Sequence, residues 1–119
     1  MSNIETSLND LLSIDGAVGA CIVDYLSGMS LGNKGSGVDL ELAAAGNAEV
    51  VKAKMETMKS LGIEGSIKDI LITLDNQMHI IRPTSKDEGL FIYLVLDSSK
   101  ANLALARRKV QSIEDALEV

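Results

Sequence analysis

Apolar residues recur along this chain with two different periods, and turn residues mark where one period gives way to the other. Ile4, Leu8, Leu11 and Leu12 fall on one face of a helix. Ser2 and Glu5 stand at capping-box spacing before it, and the helix should end near Ser13. SIDG turns the chain into AVGACIVD (17–24), apolar on both faces and read as a buried strand. YLSG is turn chemistry, and MSLG returns as a short second strand of a hairpin. A long helix is expected from an N-cap at Asp39 to Leu61, with Gly62 as the residue after its end. Strands follow at 68–74 and 78–82, joined by the turn DNQ. Pro83 and the polar TSKDEG then break the chain before LFIYLVL (90–96), a central strand. Ser98 or Ser99 is expected to cap the last helix, whose stripe is Leu103, Ala106, Val110, Ile113 and Leu117.

The order is therefore α-β-β-α-β-β-β-α, and the short turns between consecutive strands make the pairing antiparallel. Strands that are apolar on both faces need cover on both sides, and three amphipathic helices are there to supply it. The expected fold is an α/β (α+β) three-layer sandwich around a five-stranded antiparallel sheet, in one domain spanning the 119 residues. Hydrophobic content of 46% supports a core, and 3% aromatic content means it is built from aliphatic side chains. A net charge of −6 argues against nucleic acid or an anionic membrane as partner. The single cysteine cannot form an internal disulfide, and no signal peptide or membrane span is visible, so a soluble cytoplasmic protein is expected.

Candidate chemistry is sparse. LGNKGSGVDLELAAAG (31–46) tempts as a nucleotide loop, because Gly32 and Gly37 have P-loop spacing. The two positions that should be Lys and Ser/Thr are Val38 and Asp39, so the cation and the magnesium ligand are both missing. The segment is expected to be a flexible strand-to-helix connection. His79 reads as an ordinary strand residue, and Cys21 as a small buried side chain without a basic neighbour to activate it. Asp24 and Asp75 read as turn formers. In ARRKV (106–110), Arg107 flanks the apolar stripe while Arg108 and Lys109 face solvent. Met55 and Met58 read as core or interface. No catalytic residue, metal ligand or cofactor site is expected.

The middle helix is unusual in a different way. Leu40, Ala43, Ala44, Gly46, Ala48, Val50, Val51, Met55, Met58 and Leu61 form an apolar arc wider than the roughly 100° needed to cover a sheet. One flank (Ala43, Gly46, Val50) is small enough for another backbone to approach. The strand KDILITLD after it has no proline, glycine or interior charge to protect an open edge. Ile70, Ile72 and Leu74 on that strand, with the small flank of the helix, are the expected dimer contacts. The simplest partner is a second copy pairing edge to edge.

DGAVGACIVDYLSGMSLG and LDSSKANLALARRKV, in this order and spacing, resemble the roadblock (dynein light chain) domain family over nearly the whole chain. Asp97, Ala101, Asn102 and Leu103 carry the resemblance at the final strand and helix, while DYLSG is a residue longer than the family's commonest turn. The resemblance implies the profilin-like roadblock sandwich and a homodimer in which two sheets join into one. It implies a non-catalytic regulator or scaffold of small Ras-like GTPases, of the prokaryotic type. A small-molecule-sensing or general scaffolding module of the same fold is the alternative.

Overall fold

The computed structural model describes residues 2–85 and 89–119. Its elements are α1 (Ile4–Leu12), β1 (Ala17–Asp24), β2 (Met29–Gly35), α2 (Leu40–Ser60), β3 (Ile70–Thr73), β4 (Gln77–Pro83), β5 (Leu90–Asp97) and α3 (Leu103–Ala116). The strands form one five-stranded sheet in the order β2-β1-β5-β4-β3, antiparallel throughout. The two strands that are apolar on both faces, β1 and β5, lie side by side at its centre. The expected element order and fold class are those observed.

Alternation along the strands gives each face its own core. Ala20, Ile22, Ile80, Ile92, Leu94 and Leu96 pack under α1 and α3, against Leu8, Leu11, Ala106 and Val110. Cys21, Val23, Ile81, Phe91, Tyr93 and Val95 point the other way, toward Leu40, Ala44, Ala48 and Val51 of α2. Two helices thus cover one face and a single helix covers the other.

Several boundaries differ from the sequence-based expectation. Asn3, not Ser2, occupies the α1 N-cap position, and it makes no side-chain cap bond. Its amide is instead held by Ala116 O at 2.7 Å and Glu118 N at 2.6 Å, tying the start of the chain to its end. The second strand runs to Gly35, so half of the supposed glycine loop is strand. The strand after α2 is confined to Ile70–Thr73, and the next extends over Gln77–Pro83. The last helix is capped by Asn102, whose side chain accepts from Leu105 N at 3.0 Å; Ser99 is used by Asp97 instead. Asp39 caps α2, and Gly62 follows its end, as the sequence indicates. The polar break after Pro83 lies partly, at 86–88, outside the described residues.

Candidate functional site

The asymmetry of cover creates the site. A helix is about 10 Å across and strands lie about 4.8 Å apart, so one helix covers roughly two strands of five. The close approach of α2 is to β1 and β2. Its Ala45 side lies against Gly28 in the β1–β2 turn, while Asn47 on the opposite flank, donating to Ala43 O at 2.8 Å, lies near Tyr93 of β5. Beyond that flank Ile81 of β4 is still buried in the α2 core, but among the described residues the cover thins toward β3. Ile70 and Ile72 are half-buried there, and Leu74 is 46% exposed. On α2 itself Ala43 is half-buried, Val50 is 39% exposed, and a Cβ added at Gly46 would meet nothing within 4 Å. Of the six residues named from the sequence, Ala43, Gly46 and Val50 lie on α2, Ile70 and Ile72 on β3, and Leu74 just after it.

The floor of this open half carries a polar relay that sequence reasoning passed over. The Tyr93 hydroxyl lies 3.0 Å from His79 Nδ1, His79 Nε2 lies 2.9 Å from Gln77 Oε1, and Gln77 Nε2 donates to Gly37 O at 3.2 Å. The two rings meet edge to face, with centroids 5.4 Å apart. Burial pushes the Tyr93 phenol up and the His79 imidazole down, so both are neutral near pH 7. The alternation that marked His79 as a strand residue was right, but it could not show what lay across the sheet.

The remaining candidates resolve into structure. Gly32 sits in β2, where a Cβ would lie 2.8 Å from Ile4 Cγ2, so its bareness seats α1 on the sheet. Gly37 has φ +92° and lies over Val18, in the turn that leads to the Asp39 cap. The Asp39 carboxylate accepts from Leu42 N at 3.2 Å, at the helix end where a phosphate would need free amides. Neither GTP nor ATP should bind the protein alone. Calorimetry at micromolar protein should show no heat, and binding abolished by Gly35→Ala or Gly37→Ala would contradict this.

Cys21 is fully buried and donates to Ser30 Oγ at 3.2 Å; burial raises its pKa, which keeps the thiol unreactive. Asp24 is the turn former expected, accepting from Leu26 N at 2.9 Å, and Asp75 lies in the β3–β4 turn. Arg107 is engaged in a two-point pair with Asp69 at 3.0 and 3.2 Å, linking α3 to the start of β3. Among the described residues no His/Cys/Asp/Glu group is placed to hold a metal ion, and no helix is long and apolar enough to cross a membrane.

A buried ion pair was also missed. Glu114 is 2% exposed on α3; it accepts from Arg82 Nε at 2.7 Å and from the Ser85 hydroxyl at 3.0 Å. Burial alone would raise its pKa, but Arg82 and Ser85 together hold it below the usual carboxylate value. The signal was present: Ala106, Val110, Glu114 and Leu117 follow helical spacing, which puts a carboxylate in the apolar stripe.

No family model matches the chain, and no curated protein does. Solved structures match over nearly its full length. A roadblock/LC7 domain from Streptomyces avermitilis superposes with TM-score 0.82 at 12% identity, over 97% of this chain and 94% of that one. The gliding protein MglB of Thermus thermophilus gives 0.81 at 21%, over 95% and 84%. An MglB in a tetrameric arrangement also gives 0.81 at 21%, over 95% and 83%. With the sheet order, the helix placement and these superpositions in agreement, the chain has the roadblock fold.

Proposed function

We propose that this chain is a non-catalytic, homodimeric regulator or scaffold of a small Ras-like GTPase. The observation that carries the self-association is the half-covered sheet face, flanked by the small side of α2 and ending at the unpaired edge of β3. A second copy related by a two-fold axis would bring a second α2 over the uncovered strands and pair the two β3 edges. The tetrameric MglB of the same fold supports self-association. The GTPase partner rests on the sequence resemblance and on the likeness of fold to gliding proteins.

A regulator of this kind must distinguish two states of its partner, because only differential affinity shifts an equilibrium. Titrating the small GTPases of the source organism, loaded with GDP or with a non-hydrolysable GTP analogue, tests this. The GTP form of one of them should bind at least roughly tenfold more tightly. Arg107→Ala and Arg108→Ala should leave most of any stimulated hydrolysis intact, since Arg107 is already paired with Asp69. A loss of several hundredfold in either variant would place an arginine finger on this chain. Equal affinity for the two nucleotide states, or no binding to any GTPase, contradicts the GTPase assignment.

An apolar cleft of about 460 Å³, lined by Met55, Met58, Ile63 and Ile67 beneath the α2–β3 connection, favours the ligand-sensing alternative. Native mass spectrometry of the freshly purified protein separates the two. A bound small molecule would support sensing, and a mass of two chains with nothing added favours the regulator.

A further inference from the structure

We propose that self-association across this face is gated by protonation of His79, so that the chain pairs at neutral pH and separates on acidification. The proposal rests on the homodimer above, whose second copy would cover the half of the sheet where His79 lies beside Ile72. Both ring nitrogens are already committed, to Tyr93 and to Gln77. Because Gln77 Nε2 donates to Gly37 O, its Oε1 is left to accept. His79 Nε2 therefore donates to Gln77, and Nδ1 accepts from the Tyr93 hydroxyl: a neutral ring with every bond satisfied.

A second proton must enter at Nδ1, where it meets the hydroxyl hydrogen of Tyr93. That hydroxyl would have to turn away and lose its acceptor, at a residue only 1% exposed. The surroundings do little to offset the charge. From β3 the ring is faced by Ile72, between Ile70 and Leu74; from β5 by Tyr93 and Val95. On α2 the groups on this flank are Asn47 and, two turns along, Lys54, while Cys21 of β1 lies beyond Tyr93. The carboxylates stand toward the end of the sheet. Asp97 is opposite Gln77 and engaged by Ser99, Asp75 is in the β3–β4 turn, and Asp39 caps α2.

Burial in the single chain already lowers the His79 pKa. Covering the face with a second apolar surface removes more water from the ring, which costs the cation more than the neutral form. The separated chain then binds protons more readily than the pair does. The dissociation constant must rise as pH falls through the pKa of the separated chain, by up to two protons per dimer.

His79 is the only histidine in the chain, so its ring titration is read without ambiguity. Sedimentation equilibrium at fixed ionic strength should show the dissociation constant rising roughly tenfold or more between about pH 7.5 and about pH 5.5. His79→Phe and His79→Gln should remove most of that rise. Should neither variant fold, NMR of the wild-type ring replaces them: its pKa should fall as the protein is concentrated. A wild-type constant that is flat over this range, an equal rise in both variants, or a ring pKa independent of concentration overturns the gating and leaves the dimer standing. A monomer at every pH overturns the gating together with the dimer.

Discussion

Gly46→Arg is expected to leave a folded monomer that is more stable than a single wild-type chain. A Cβ at Gly46 meets nothing within 4 Å, so the new side chain has room within its own chain. Replacing glycine in a helix interior stabilises the helix by roughly 0.5–1 kcal/mol. The same long cation projects where a second α2 would pack. An obligate-type interface buries on the order of 1,000 Å² per protomer, a substantial part of this chain's 6621 Å². An arginine inside it cannot be accommodated. Light scattering should give twice the 12.6 kDa chain mass for wild type and the chain mass for the variant. Ile72→Asp, on the edge strand, should do the same by a different route. If Gly46→Arg stays dimeric while Ile72→Asp does not, the helices meet through another flank. Wild type running at the chain mass at micromolar concentration removes the dimer altogether.

The second large effect lies away from that face. Glu114→Ala leaves the Arg82 side chain, 16% exposed, without its carboxylate, and strips Ser85 of its acceptor. Removing one member of a buried pair costs about 3 kcal/mol, which lowers the melting temperature by roughly 10 °C. Denaturant unfolding at neutral pH measures the loss. The pH dependence has a definite sign. The folded-state pKa of Glu114 is depressed, so its stabilisation is present above the usual carboxylate value and is lost as pH falls through the lowered one. The variant should therefore lose less stability than wild type between about pH 5 and about pH 3. Equal stability of variant and wild type at neutral pH would mean that the ion pair contributes nothing.

Periodicity made the sandwich legible because each element here obeys one rule. Leu90 to Leu96 are buried on both sides, which only a central strand requires, and the α3 stripe faces a single core. Boundaries were harder where two local solutions compete. Ser99 and Asn102 are both good caps, and the choice fell to Asn102 because Asp97 recruits Ser99 into its own turn. Gly32 and Gly35 look like loop residues, yet they lie in β2 because α1 and β1 press too closely for side chains. At the open face, the width of the α2 arc and the bare β3 edge were legible from residue types alone, and the proposed dimer rests on them. The relay through Tyr93, His79 and Gln77 was invisible, since its members come from two strands and meet only through the register of β4 on β5. Glu114 was overlooked for a simpler reason: a charged residue within an apolar stripe was passed over, although its position required a buried cation as partner.

The pairing of β3 with a second copy is tested most directly by hydrogen exchange at the two edges of the sheet. Both β2 (Met29–Gly35) and β3 (Ile70–Thr73) end the sheet within one chain, so each presents amides with no partner on its outer side. In concentrated wild-type protein the outward amides of β3 should exchange at least about a hundredfold more slowly than those of β2, and dilution or Gly46→Arg should abolish the difference. Outward β3 amides that exchange as fast as those of β2 at every concentration would contradict the edge-to-edge dimer.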